Sequence, residues 1–167
     1  SNARTFLIER YQIPTPRINV GRSLHKYATS AIDISDGLIA DIEHIAKQSN
    51  RRIIIHAPQL PVSAASRQLV EANPELMNFI LGGGDDYELA FTAPPNAQSA
   101  ISKLSVKTGV KITAIGDILE MNKSLSRLEI KGLKNEFIDV SYSGYTHFWI
   151  RQESSQARKD NIDFTSA

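Results

Sequence analysis

Between Thr29 and Lys47 the sequence changes its hydrophobic period within a few residues, and that stretch limits the fold more tightly than any other. Ala31-Ile32-Asp33-Ile34 is a short apolar run of the kind that forms a strand. Leu38, Ile42 and Ile45 then share one stripe of a helix, with Asp41, Glu43 and Lys47 off it. Only Ser35, Asp36 and Gly37 remain to join the two, so strand and helix must meet through a tight turn. Two carboxylates and a hydroxyl, from Asp33, Asp36 and Ser35, therefore gather at the end of a strand. Loops held by rigid elements are common seats of chemistry. Such oxygens suit a hard cation like Mg²⁺, which takes one or two carboxylates with water and phosphate oxygens. The same residues also suit a structural turn, with Ser35 or Asp36 capping the helix and Gly37 relieving the bend. No capping box supports that reading, because Leu38 and Ile39 stand where Glu or Gln would. Asp33, inside the apolar run, does not suit a cap at all.

Along the rest of the chain, residues 4–12 predict a short helix with Phe6, Leu7 and Tyr11 as its apolar residues. Pro14 and Pro16 force an extended connector. Arg17 to Lys26 fits another short helix, with Ile18, Val20 and Leu24 as core contacts. Arg52 to His56 is a β-branched run suited to a buried strand, broken by Pro58 and Pro61. Ala64 to Ala72 reads as a helix, and Pro74 starts another with Leu76, Phe79 and Ile80 toward the core. Gly82-Gly83-Gly84 stops it. Tyr87 to Thr92 predicts a strand closed by Pro94-Pro95. Residues 97–107 form a helix ended by Gly109. Val110 to Ile118 predicts a strand interrupted at Gly116, and Leu125 to Ile130 alternates as another. Asn135-Glu136 sits in a turn before a last short strand. From Arg151 the chain turns polar, a weakly anchored tail over 151–167. Strands mixed with helices without regular alternation predict an α+β architecture.

Gly82-Gly83-Gly84-Asp85-Asp86 is the second stretch of chemical interest. Glycines let a backbone approach a ligand closely, and the two acids add charge. A glycine stop between helix and strand is also commonplace. The stretch is neither a Walker A loop nor a dinucleotide fingerprint. His25, His44, His56 and His147 lack metal-ligand spacing, and no Gly-x-Ser-x-Gly elbow is present. Tyr142, Tyr145, Phe148 and Trp149 cluster as aromatic packing would.

Composition narrows the function classes. Nineteen basic against eighteen acidic residues leave a net charge of +1, which gives no electrostatic case for nucleic acid or membrane as a partner. Without cysteine, disulfides and thiol catalysis are excluded. The absence of a bilayer-length apolar run or a leader predicts a cytoplasmic protein. Ser1-Asn2-Ala3 resembles the remnant of a cleaved expression tag.

Ile32-Asp33-Ile34-Ser35-Asp36-Gly37-Leu38 followed by Asp41, then Gly83-Gly84-Asp85-Asp86-Tyr87-Glu88-Leu89, resembles the C-terminal half of thiamine-monophosphate kinase. Gly144-Tyr145-Thr146-His147-Phe148 resembles the aromatic end of that family, and Pro14-Thr15-Pro16-Arg17 its interdomain connector. The resemblance covers residues 4–150 as a C-terminal domain, without the N-terminal domain. It implies a mixed β-sheet covered by α-helices, as in proteins related to aminoimidazole ribonucleotide synthetase. It also implies ATP-dependent phosphorylation of thiamine monophosphate to thiamine diphosphate, with Mg²⁺ as cofactor and a homodimeric full-length enzyme. Asp33 and Asp36 are implied to hold Mg²⁺, Ser35 to contact ATP, and Asp85 and Tyr145 to face thiamine monophosphate. Asp85 stands where the family usually has Glu. Asp86 and Glu88 read as structural. No residue serves as a catalytic nucleophile, and the fragment alone is expected to be inactive because its partner N-terminal domain carries the other half of the site. The alternatives are a related synthetase of the aminoimidazole ribonucleotide or selenophosphate type, or a non-catalytic binding domain of the same fold.

Overall fold

The computed structural model describes residues 3–138 apart from 85, 86, 133 and 135. In chain order the elements are α1 (Ala3–Gln12), α2 (Ile18–Leu24), β1 (Ser30–Ile34), α3 (Leu38–Gln48), β2 (Arg51–His56), α4 (Ala64–Ala72), α5 (Leu76–Gly82), β3 (Glu88–Thr92), α6 (Gln98–Thr108), β4 (Gly116–Glu120) and β5 (Leu128–Lys131). Short 3₁₀ turns stand at Ala57–Gln59 and Pro95–Ala97, each beginning around a proline.

Among the described residues β1 pairs antiparallel with β3, and β2 runs between β4 and β5. β4 is antiparallel to β2 and β5 parallel to it, so this sheet is mixed, as the resemblance implied. The β1–β3 register sets Asp33 opposite Leu89 and Ile34 opposite Glu88. Two sequence-distant acidic motifs thereby become neighbours.

The core follows from the two apolar patterns. Ile42, Ile45 and Ala46 of α3 pack with Ile53 and Ile55 of β2, Leu81 of α5 and Ile130 of β5. Full burial of each large aliphatic side chain contributes about 1.5–3 kcal/mol, so this cluster fixes α3, and with it the turn that precedes α3. A smaller cluster of Val20, Leu24 and Leu104 joins α2 to α6. Gly109 ends α6 in a left-handed conformation at φ 66°, the expected glycine stop.

Several expectations need correction. Phe79 is 62% exposed, and Leu81 instead faces the core. The short α5 has its buried side set by its last turn, where Gly82 meets the β1–α3 turn. Ile18 is exposed, leaving Val20 and Leu24 as the buried residues of α2. The strand expected over 110–118 begins only at Gly116, where β2 supplies its hydrogen-bonding partner. A side chain at Gly116 would strike the Ile54 carbonyl. The strand expected from Leu125 likewise starts at Leu128, after a turn in which Asn122 accepts the Ser124 N–H at 3.0 Å. Asp41, placed off the apolar stripe by periodicity, is only 2% exposed.

Candidate functional site

The turn between β1 and α3 is built on main-chain contacts. Gly37 is the residue before the helix, at φ 119° and ψ 150°, and no side chain caps α3 there. The structural alternative in which Ser35 or Asp36 caps the helix is therefore not what the chain adopts. The carboxylate of Asp41, reaching back from the first turn of α3, accepts the N–H groups of Ser35 at 3.0 Å, Asp36 at 3.1 Å and Gly37 at 3.2 Å on Oδ2.

The glycine turn that ends α5 lies directly against this one. A Cβ on Gly37 would come within 2.6 Å of the Gly82 carbonyl oxygen, and one on Gly84 would overlap the Ser35 carbonyl oxygen. Only glycines allow two turns to touch backbone to backbone in this way. The fold thus brings together the two motifs that the sequence singled out.

The side chains differ in what they face. Asp33 and Ser35 are exposed and Asp36 is half-buried. Among the described residues, neither Asp33 nor Asp36 has an ion-pair or side-chain hydrogen-bond partner. Asp33 and Ser35 line a cleft of about 370 Å³ with Arg17, Ile18, Tyr87 and Glu88. Tyr87 takes the left-handed region at φ 54°, uncommon for an aromatic residue, as the chain turns from the glycine stretch into β3. Sequence reasoning passed over Arg17 and Tyr87 as cleft residues. Asp41 was also passed over, although a carboxylate four residues after a turn glycine, in the first turn of a helix, is a readable signal.

Glu88 is fully engaged. Arg17 donates to both of its oxygens, Nε to Oε2 at 2.8 Å and a terminal nitrogen to Oε1 at 2.5 Å, and Arg10 adds a contact at 3.2 Å. The hydrogen bonds that Arg17 donates to Glu88, with the charge of Glu88, hold the guanidinium above its ordinary pKa, against the opposing effect of burial. This carboxylate anchors α1 and the proline connector to β3, in keeping with the structural reading of Glu88. A second cleft of about 360 Å³ between α2 and α6 is bordered by Lys26, Lys103 and Lys107, remote from these carboxylates.

Among the described residues, no group of three or more His, Cys, Asp or Glu side chains is placed to hold a metal ion. His56 pairs with Asp117 at 2.8 Å. Asp33, Ser35 and Asp36 present only hard oxygens at one turn, and they fit an ion that completes its shell with water and phosphate. Asp85 and Tyr145, the two residues expected on the acceptor side, lie outside the described residues. No helix among the described residues is long and apolar enough to cross a membrane.

No protein-family model matches the chain. Its sequence is 37% identical over 147 residues to thiamine-monophosphate kinase of Escherichia coli K12, covering 86% of this chain and 42% of that protein. The crystal structure of thiamine-monophosphate kinase from Stenotrophomonas maltophilia is similar at 38% identity and TM-score 0.64, over 70% of this chain and 35% of that one. AaThiL complexed with AMPPCP and TMP is similar at 30% identity and TM-score 0.68, over 89% and 43%. The chain spans about two fifths of the length of the curated relatives it matches first.

Proposed function

The chain is a homologue of the C-terminal part of thiamine-monophosphate kinases, and on that premise we propose that it supplies one half of an ATP-dependent thiamine-monophosphate kinase site. Residues 4–150 form the C-terminal domain in this reading, the 151–167 stretch a tail, and an N-terminal domain of the same enzyme the remainder of the site. The full-length enzyme is a cytoplasmic homodimer.

The observation that carries the reading is the pair of uncommitted carboxylates, Asp33 and Asp36, on a turn fixed from behind by Asp41 and against the glycine stretch by Gly37 and Gly84. Phosphoryl transfer asks a protein mainly for positioning and charge neutralisation. Asp33 and Asp36 would hold Mg²⁺, which supplies charge neutralisation of the nucleotide phosphates when bound. Ser35, exposed beside them, offers a hydroxyl to the nucleotide. Asp85 keeps the acceptor-side carboxylate with one methylene fewer than the usual Glu. Tyr145 offers an aromatic face to the cationic thiazolium, an attraction of about 0.5–2 kcal/mol. No step in this scheme requires a protein nucleophile.

ADP release by the full-length protein with ATP, Mg²⁺ and thiamine monophosphate tests the proposal. The expected result is release that depends on thiamine monophosphate, and none from residues 1–167 alone. Release that instead depends on the acceptor of a related synthetase, or robust turnover by the fragment, would overturn it.

A further inference from the structure

Asp41 is the one charged side chain of the described core, and the scheme above gives it no contact with cation or nucleotide. It is 2% exposed. Among the described residues no Lys, Arg or His pairs with it. Burying a carboxylate in this way is costly unless hydrogen bonds replace water. Here three successive N–H groups do so, those of Ser35, Asp36 and Gly37, at 3.0, 3.1 and 3.2 Å. Successive amides converging on one point form an anion-binding nest, and a helix N-terminus adds to its positive potential. Elsewhere such a nest takes a phosphate. In this chain it is filled by a carboxylate of the chain's own.

We propose that Asp41 is the positioning residue of the site: it fills the nest behind Ser35-Asp36-Gly37, sets Ser35 and Asp36 in place, and closes those amides to nucleotide phosphate. The nucleotide must then be reached through the cation and the Ser35 hydroxyl, on the outer face of the turn. The proposal rests on the cation reading of Asp33 and Asp36. An apolar side chain at this inward position would continue the stripe of Ile42 and Ile45 but leave the three amides of the turn without an acceptor. A buried charge whose hydrogen bonds all go to the site turn points to that turn as the thing being held.

The test compares wild-type full-length protein with Asp41→Ala and Asp41→Asn. Four quantities are read: kcat, the Mg²⁺ concentration for half-maximal rate, hydrogen exchange at the amides of residues 35–37, and the effect of added formate. Asp41→Ala is expected to lower kcat on the order of a hundredfold, the effect of an ångström-scale misplacement. It should also raise the Mg²⁺ requirement and expose the three amides to exchange. Formate, a free carboxylate small enough for the vacated nest, should restore part of the rate and of the protection. Asp41→Asn keeps an acceptor oxygen without the charge and should fall between. If Asp41→Ala does not fold, the same measurements on Asp41→Asn decide. Wild-type kcat and Mg²⁺ requirement in the folded fraction would overturn the proposal, as would a lost rate with the three amides still protected. A wild-type Mg²⁺ requirement in Asp33→Asn would strike the cation reading instead, leaving exchange and formate rescue to judge Asp41.

Discussion

The acidic residues of β1 and its turn and the acidic residue that opens β3 lie side by side, yet they commit their charge in opposite ways. Glu88 is gripped by Arg17 at both oxygens and touched by Arg10. Asp33 and Asp36 have no such partner among the described residues, and their placement is secured by main-chain contacts behind them. The same division appears across the other sheet, where Arg52 of β2 pairs with Glu129 of β5. A carboxylate already held by arginine has its electrostatic work done within the fold. One that is rigidly placed but unpaired keeps its charge for something that arrives. Proximity in the fold alone would have treated these residues as one cluster.

The largest expected effect breaks the comparison on the unpaired side. Asp33→Asn or Asp36→Asn in the full-length protein keeps shape and one acceptor oxygen while removing the negative charge. Loss of an electrostatic contact to a transition state lowers the rate by about a hundredfold or more. The melting temperature should barely move, because no ion pair among the described residues is broken. Steady-state rates at saturating and limiting Mg²⁺, with thermal melts of the same samples, check this. A wild-type rate joined to earlier melting would make the turn a structural device.

Next comes the contact that joins the two regions. Gly84→Ala places a methyl against the Ser35 carbonyl, and Gly37→Ala adds a strained φ of 119° to a clash with Gly82. Each should destabilise the fold by about 1–3 kcal/mol, the range for backbone strain at Gly37 and for overpacking at Gly84. Gly109→Ala is the control, since its φ of 66° is left-handed but nothing stands within 4 Å. Its cost should be smaller, about 1 kcal/mol. Chemical denaturation of the three variants should return that order. Equal losses would mean that the two turns are not in contact in solution.

How far these contrasts could be read from sequence depends on which partner each residue uses. α3 was legible because Ile42 and Ile45 owe their burial to periodicity, and β2 because Ile53 to Ile55 form a continuous β-branched run, and the sequence carries both directly. The glycine ends of α5 and α6 were legible for the same local reason. The burial of Asp41 was hidden from periodicity, which sorts residues by polarity while the partners of Asp41 are backbone amides. The start of β4 was hidden as well, since Val110 to Ile115 is as apolar as a strand and only pairing with β2 decides where the strand lies. Phe79 shows the limit for short helices, where a single end contact rotates the buried face. The adjacency of the two acidic motifs depends on the β1–β3 register, a non-local fact. Asp33, Ser35 and Asp36 were singled out by their local pattern and by resemblance; Asp33 lies in β1, and Ser35 and Asp36 in the turn that follows it. Asp85 and Tyr145 fall outside the described residues.

On the paired side the effect should be smaller and fall on stability. Glu88→Gln removes the charge that Arg17 and Arg10 share. The Glu88 side chain is 42% exposed and that of Arg17 21%, so solvent screens part of the attraction. Exposed pairs contribute about 0–1 kcal/mol, and a bidentate arginine with a second cation belongs at the upper end. A loss of about 1 kcal/mol lowers the melting temperature of a chain of this size by roughly 2–4 °C. The rate should fall less than about tenfold, far short of the Asp33 and Asp36 variants, since the energy of a solvent-screened ion pair converts to a factor of that size. A hundredfold rate loss in Glu88→Gln at unchanged melting temperature would erase the distinction between anchored and free carboxylates.

The smallest expected effect concerns alkaline pH and tests whether Arg17 is the reason for the anchor. Its pKa is raised by the hydrogen bonds it donates to Glu88 and by the charge of Glu88, with burial opposing. A base whose folded pKa lies above its unfolded one adds stability that is fully present below the unfolded pKa. That contribution is lost only as pH rises through the folded value. Both values for arginine lie far above neutrality, so the Arg17 contribution is constant across the range in which the protein can be handled. The melting-temperature gap between wild type and Glu88→Gln should therefore be the same at pH 7 and pH 10, within about 1 °C, since a shift that small corresponds to a few tenths of a kcal/mol. Arg17→Lys supplies the contrast. Lysine titrates near 10.4 and offers a point charge in place of a fork. In that background the gap should be smaller at pH 7 and shrink further toward pH 10 as the ammonium loses its proton. A gap that narrows equally in both backgrounds would mean that the anchor depends on some other titrating group, and that Glu88 is less committed to Arg17 than the geometry of the pair requires.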